Sequence, residues 1–415
     1  MSGEILFISH RIPYPPNRGD KIRSHHVLAR LSRLAPVHVA CFADDEADLA
    51  EEAELAALAR SYRMVRRSVP LALAGLSALL RNQPVSLAAF RDAALEDYVE
   101  ETLARGTIGT IYVFSGQMGQ YVPASFTGRV VIDFVDVDSA KFGAYAQSAG
   151  LPMRWVYARE ERLLRAEEQR LARRADASVL ISHREAELFA ERLSPAAREQ
   201  ANVQVMGNGI DSDLFDPHLV SPEPQLADAG APRLIFTGQM DYPPNIAAVS
   251  RVVHKIMPLV RAALPQASFH IVGRNPPPEV MVLDGLAGTQ VWGSVADIRP
   301  WLRAADMALI PLEIARGVQN KVLEAMAMAM PVVLSEQAAT GINALSGLHY
   351  EVAESDEALA EAIIRLARDG IYSKAMATEA RRFVVERQGW PSALAPLAGL
   401  VAGPERPLPG RGGPA

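Results

Sequence analysis

The stretch "MALIPLEIARGVQNKVLEAMAMAMPVVL", residues 307–334, holds one complete repeat of a fold. "MALIP" (307–311) and "PVVL" (331–334) are short β-rich apolar runs. Between them lie a loop at 312–319 and a helical run at 320–329. Strands that alternate with helices predict a parallel sheet with helices on its faces. From Val322 to Val333 nearly every side chain is apolar, so this helix is buried. One carboxylate, Glu324, stands among them. An unpaired buried carboxylate costs several kcal/mol or neutralises, so Glu324 needs a partner.

Outward from this unit the pattern repeats. "RLIFTG" (233–238), "SFHIVG" (268–273) and "QVWG" (290–293) are further strand candidates, with helical runs at 245–263, 296–304, 356–369 and 372–387. The first half alternates in the same way. "EILFIS" (4–9), "VHVACFA" (37–43), "TIYVFS" (110–115), "VVIDFV" (130–135), "ASVLIS" (177–182) and "VQVM" (203–206) read as strands. Helical runs at 20–34, 45–60, 91–105 and 152–174 separate several of them. The chain therefore reads as α/β, two doubly wound Rossmann-like domains. Residues 1–207 form the first domain. Residues 208–232 are rich in Pro, Gly, Asp and Ser and read as a linker. Residues 233–388 form the second domain. A C-terminal helix at 389–402 is expected to pack back on the first domain, and the Pro/Gly-rich 403–415 reads as a disordered tail.

Composition narrows the function classes. The 415 residues carry a formal charge of −6, which argues against a nucleic-acid partner. Cys41 is the single cysteine, so no intrachain disulfide forms and a reducing compartment fits. The N-terminus lacks a signal-peptide pattern, and no apolar run is long enough to span a bilayer. The chain reads as cytoplasmic. The segment 61–90 carries Arg63, Arg66, Arg67 and Arg81 around an apolar stretch. That pattern suits either peripheral contact with an anionic membrane or a core helix with solvated arginines.

In open α/β sheets ligands bind beyond the carboxyl ends of the strands. After "MALIP", Asn320 is a candidate N-cap, and the first helical turn offers free N–H groups and a positive dipole end to a phosphate. Lys321 and Arg316 add full charges there. Glu324, an acceptor of hydrogen bonds only, suits sugar hydroxyls. Phosphate beside ribose is a nucleotide. The alternative is a plain helix-surface pair between Lys321 and Glu324. Gly238 and Gln239, with Asn245 beyond them, follow one strand, and Gly273 and Arg274 follow the next. Each could equally be ordinary turn chemistry. Gly293, Ser294 and Val295 form a turn that could line a base pocket. In the first half, "SHRIPYPPNRGDKIRSHHVLARL" (9–31) makes a basic edge of Arg11, Arg18, Lys21 and Arg23, with Gly19 and Asp20 at a helix start. This edge suits a second phosphate or is a solvated loop. Asp133, Asp136 and Asp138 crowd another strand end. They could hold a metal, contact a substrate hydroxyl or cap a helix. No dinucleotide fingerprint, P-loop, zinc-protease motif or nucleophile elbow is present.

Taken together these segments resemble the GT-B fold of nucleotide-sugar glycosyltransferases, two Rossmann-like domains facing a central cleft. "LEAMAMAMPVV", "NGIDSDLF" (208–215) and the succession "FTGQMDYPPN", "HIVGRNP", "VWGSVADIRPWLRAADMALIP" resemble the retaining family four group. "RIPYPPNRGDKIRSHHVLARL" and "VIDFVDVDSAKF" are similar to the sugar transferases of PEP-CTERM/exosortase exopolysaccharide clusters. The resemblance covers about residues 4–390.

It implies a retaining transfer of a sugar from a nucleoside diphosphate sugar to a glycan or lipid-linked acceptor, at the inner face of the cytoplasmic membrane. The donor would lie on the second domain and the acceptor on the first, with no metal or other cofactor. Glu324 matches the second Glu of the family's paired-Glu motif, which holds the donor ribose. Arg316 stands where the first Glu, facing the donor sugar, would be. The family's basic pair for the diphosphate is missing, and Gln239 and Asn245 stand near its place. Lys321, Asn320 and the helix dipole would then carry more of that load, with Gly317, Val318 and Gln319 among the donor-binding residues. Arg316 and Lys321 would stabilise the leaving diphosphate. Asp136 would touch the acceptor hydroxyl, and Arg18, Gly19 and Asp20 would face acceptor and phosphate. Two rivals remain: a nucleotide-sugar epimerase or hydrolase of the same fold, and a two-lobed binding protein without chemistry.

Overall fold

The structure is a computed structural model that describes residues 3–16, 18–315 and 318–403. Two units emerge. One runs to Asn208 and resumes at Leu394; the other spans Gly209–Ala393.

The first unit is built on seven strands: β1 (Glu4–Ser9), β2 (Val37–Ala43), β3 (Ser61–Arg66), β4 (Ile108–Phe114), β5 (Arg129–Val135), β6 (Ala177–Leu180) and β7 (Val203–Val205). Their order is β3-β2-β1-β4-β5-β6-β7, and every pair is parallel. β1 and β2 are buried almost throughout, as a sheet covered on both faces requires. The order reverses between β1 and β4, and the strand ends there open a crevice.

The second unit has six parallel strands: β8 (Arg233–Gln239), β9 (Ser268–Arg274), β10 (Thr289–Gly293), β11 (Met307–Ile310), β12 (Val332–Leu334) and β13 (Glu351–Val352). Their order is β10-β9-β8-β11-β12-β13, which puts the reversal between β8 and β11. The fold class is thus the expected one, α/β with two parallel-sheet Rossmann-like domains.

Two strands were not expected. β3 carries Arg63 and Arg66 on an edge, and β13 is two residues long, too short for any periodicity. The 208–232 stretch reads as a linker from its turn residues, yet Ile210, Phe215 and Leu226 are buried in the second unit's core. The 389–402 segment divides. Helix Trp390–Ala393 lies with the second unit and helix Leu397–Ala402 with the first. There the Thr110 hydroxyl donates to the Val401 carbonyl at 3.0 Å and Arg129 donates to the Leu400 carbonyl. The expected tail, 403–415, lies outside the described residues except for Gly403. No described helix is long and apolar enough to cross a membrane.

Candidate functional site

At the reversal point of the second unit, helix Asn320–Ala327 follows β11. Its N-cap is Gln319, not Asn320, because the extended loop backbone continues one residue further (φ −88°, ψ 101°). No side chain caps it, so the first-turn N–H groups keep their capacity for an anion. Val318 is partly exposed just before this turn. Arg316 and Gly317 lie outside the described residues.

Lys321 does not pair with Glu324. Its Nζ donates to Asn245 Oδ1 at 2.8 Å and stands 4.1 Å from the centroid of the Phe236 ring. Asn245 is itself buried and gives its amide hydrogen to the Gln239 carbonyl at 2.8 Å. Burial pushes the Lys321 ammonium down to about 7, with Glu324 opposing. Glu324 is one turn deeper. Burial raises its carboxyl pKa, Lys321 opposes that, and no described residue donates a hydrogen bond to it. Among the described residues, neither Lys321 nor Glu324 is in ion-pair contact with a side chain of opposite charge, though each acts on the other's proton equilibrium.

Gly238 makes the arrangement possible. It has φ +153°, and a Cβ there would come within 3.0 Å of both Lys321 Nζ and Asn245 Nδ2. Gly273 is equally constrained, since its Cβ would overlap the Gly238 carbonyl oxygen at 1.7 Å. Gln239 and Arg274 end neighbouring strands and are exposed. Gly293 ends β10, the edge strand two places from β8, and Ser294 and Val295 follow it. The structure therefore brings Gly238, Asn245 and Lys321 into contact and leaves the turn after β10 further out. Phe236 was not anticipated. An aromatic inside a strand gives no sign that its face lies beneath a cation.

In the first unit the ends of β1, β4 and β5 surround a cavity of about 400 Å³. Asp136, Lys141, Arg18, Arg67, Ser115 and Phe90 are among its lining residues. Asp136 is half-buried. Burial raises its pKa, with Lys141 opposing, and no described residue donates a side-chain hydrogen bond to it. Val135 beside it has φ +68°, an outlier for a β-branched residue, at a register shift between β5 and β6. Such strain costs of order 1–3 kcal/mol and tends to occur at functional sites. Here the shift re-aims the strand exit into the cavity.

The basic edge expected near residue 20 is largely neutralised. Arg11 and Arg18 pair with both Asp20 and Asp44. Burial alone would raise the Asp20 carboxyl, but hydrogen bonds from His10 and Arg11 hold it well below the usual range. Lys21 is buried against Asp48 and the Tyr14 carbonyl. Arg23 is buried against Asp133 at 3.0 Å and also donates to the Met206 and Gly207 carbonyls. Gly19 opens the helix with free space where a side chain would be. The three aspartates do not converge. Asp133 is taken by Arg23 and Tyr112, Asp138 by Lys141, and among the described residues no group of three acidic, His or Cys side chains is placed to hold a metal. The cap position is Val137. Ser139 instead donates its N–H and hydroxyl to Glu168, whose carboxyl is raised by burial to about 7 against those hydrogen bonds.

Residues 231–369, which include this second crevice, match the family described as Glycosyl transferases group 1. Residues 231–369 thus form a group 1 glycosyltransferase domain. The fold of the whole chain agrees with solved GT-B glycosyltransferase structures. Anabaena HepE in complex with UDP has a TM-score of 0.61 at 16% identity, over 96% of this chain and 99% of that one. Sucrose-phosphate synthase from Thermosynechococcus elongatus gives 0.59 at 16% identity, over 96% and 98%. WaaG, a glycosyltransferase involved in lipopolysaccharide biosynthesis, gives 0.56 at 15% identity, over 96% and 100%. No curated protein matches the chain. The Lys321–Asn245–Gly238 contact thus lies inside the glycosyltransferase domain itself.

Proposed function

We propose that this glycosyltransferase moves a sugar, with retention, from a nucleoside diphosphate sugar to a lipid-linked or glycan acceptor in exopolysaccharide synthesis, at the cytoplasmic face of a membrane. The observation that carries the reading is the pair of charges at the β8/β11 reversal, Lys321 and Glu324, which have no ion pair among the described residues. Lys321 and the uncapped first turn of its helix receive the diphosphate. Glu324, one turn on, accepts from the ribose hydroxyls. Gln239, Arg274 and Gly293 to Val295 border the donor, and Arg316 and Gly317 remain candidates for it from the sequence alone. A charge that develops on the departing diphosphate is met by groups already oriented and partly desolvated, which is the most effective form of electrostatic stabilisation. No metal is needed in this scheme, since the cations are side chains. HepE was solved with UDP and with UDP-glucose, which supports a uridine nucleotide as the first donor to test. Asp136, in the first unit's cavity, contacts the acceptor hydroxyl.

Calorimetric titration with UDP tests the donor half. Losing a charge-assisted hydrogen bond is worth about 1.5–3 kcal/mol, so Glu324→Ala should bind UDP roughly ten- to a hundredfold more weakly while remaining folded. Unchanged affinity would remove the ribose assignment. An assay that separates transfer from donor hydrolysis and from epimerisation tests the rest. Turnover that needs no acceptor would replace transferase with one of the other two activities.

A further inference from the structure

Helix Leu71–Leu80 ends with Leu79 and Leu80 in solvent, and Leu80 is 80% exposed. A second run of apolar side chains lies where helix Met153–Arg174 begins. Leu151 is 84% exposed and Trp155 60%, with Met153 and Val156 exposed beside them. The sequence gap hides that these two runs are neighbours. Arg159, one helical turn after Trp155 and on its face, donates to the Ala78 carbonyl at 2.9 Å and to the Gln83 carbonyl at 3.3 Å. The buried Glu160 carboxylate accepts from the N–H groups of Val85 and Ser86 at 2.9 and 3.0 Å. The end of the first helix is therefore tied to the second turn of the second, which places the exposed leucines and Trp155 on neighbouring segments.

The charge around this patch is one-sided. Residues 67–91 contain Arg67, Arg81 and Arg91 and no Asp or Glu. Residues 139–159 contain Lys141, Arg154 and Arg159 and again no Asp or Glu. Of the flanking charges, Arg67 pairs with Asp44, Lys141 with Asp138 and Glu161 with Arg192, while Asp92 and Glu160 accept from backbone N–H groups; Arg81, Arg91 and Arg154 have no ion pair among the described residues. In a protein with a net charge of −6 this concentration of cations around exposed apolar side chains is a local exception. Solvent alone gives no reason to hold Trp and Leu out in the open. An indole beside leucines and arginines suits the headgroup layer of a bilayer, where one end of each side chain is apolar and the other wet.

We infer that the composite surface of Leu79, Leu80 and Leu151–Val156 docks the protein on an anionic phospholipid bilayer, with Trp155 as the interfacial anchor and Arg81 and Arg154 as the headgroup contacts. The inference rests on the membrane-facing part of the proposed function and adds to the 61–90 segment a second, distant stretch, residues 151–156. It is independent of the donor crevice, which lies in the other unit.

The experiment is co-sedimentation of the full chain with vesicles of phosphatidylcholine, alone or with phosphatidylglycerol, at low and high salt. UDP titration and thermal melting of each variant serve as controls for the fold and the donor site. Wild type is expected to pellet with the anionic vesicles at low salt, with a blue shift in tryptophan fluorescence. Each arginine near an anionic surface strengthens binding about fivefold, so Arg81→Gln with Arg154→Gln should weaken it roughly twenty- to thirtyfold. Trp155→Ser with Leu80→Ser should abolish both pelleting and the blue shift while UDP binding stays as in wild type. No pelleting of wild type with anionic vesicles would overturn the inference. So would equal binding by the Trp155→Ser/Leu80→Ser variant. A wild-type dimer in sedimentation equilibrium that this variant converts to monomer, with vesicle binding unaltered, would overturn it by assigning the patch to a second copy of the chain. Loss of UDP binding in wild type would leave the docking surface standing and strike only the transferase reading.

Discussion

Two half-hidden lysines in the two units have opposite surroundings. Lys21, in the first unit, is buried against Asp48 and the Tyr14 carbonyl. Lys321, in the second, faces an amide oxygen and an aromatic ring, with no carboxylate in ion-pair contact. A buried cation with a carboxylate partner is complete as it stands. One without is held at a free-energy disadvantage that a ligand anion can relieve. The first lysine thus belongs to the framework, and the second is the one we propose for the chemistry.

The comparison can be broken most forcefully at Lys21. Removing one member of a buried pair costs about 3–5 kcal/mol, so Asp48→Ala should lower the urea midpoint of the protein sharply. UDP affinity of the remaining folded protein should not change. A shift under 1 kcal/mol, on the order of a surface pair, would show that Lys21 finds water instead. Lys321→Met should behave in the reverse way. We expect UDP affinity to fall roughly ten- to a hundredfold, by the worth of a charged hydrogen bond. Unfolding stability should hold or rise by about 1 kcal/mol, since a buried charge is replaced by an apolar side chain of similar length. A destabilised Lys321→Met would place Lys321 beside Lys21 in the framework.

Protons sharpen the contrast further. Burial holds the Lys321 ammonium at about 7, against a usual 10.5, with Glu324 opposing. A diphosphate beside it favours the charged form and raises that value. Between the free and bound values, binding draws a proton from solvent, so UDP affinity should fall as the pH climbs above about 7. Calorimetry in buffers of different ionisation enthalpy should reveal proton uptake at pH 8 and little at pH 6. The uptake should vanish in Lys321→Arg, whose guanidinium stays charged throughout. Uptake that persists in that variant would assign the proton to another group.

The smallest effect concerns the helix that carries both charges. It ends at Ala327 with Met328 as its cap; Ala329 beyond has φ +51° and donates its N–H to the Met326 carbonyl, while Met330 donates to the Ala325 carbonyl. This is a left-handed C′ position that glycine fills without strain. Ala329→Gly should therefore stabilise the protein by about 1 kcal/mol, read as a rise in melting temperature with UDP affinity unchanged.

Much of this was legible beforehand, and the limits have physical causes. Strands such as "EILFIS" and "VHVACFA" are runs of β-branched and aromatic residues buried on both faces, and they start and stop where they were expected. β3 escaped because an edge strand lets Arg63 and Arg66 point to water, which erases the apolar run. Glu324 and Lys321 stood out because charge is conspicuous in an apolar helix. Their surroundings did not, because Asn245 lies 76 residues away from Lys321. The same blindness made Lys21 and Arg23 look like an exposed basic edge. Asp48 and Asp133, which bury them, are 27 and 110 residues distant.

The division of the first unit has a consequence for how the protein is made. Helix Leu397–Ala402 supplies the Leu400 and Val401 carbonyls that Arg129 and Thr110 need, yet it is translated only after the whole second unit. At about 5–20 residues per second, the ribosome takes roughly ten to forty seconds to pass from Asn208 to Leu394. For that interval β4 and β5 are present and their final cover is not. The second unit is an insertion with a complete core of its own, so it folds while its host waits. The half begun first is the half finished last, and any premature stop within the second unit leaves the first one open.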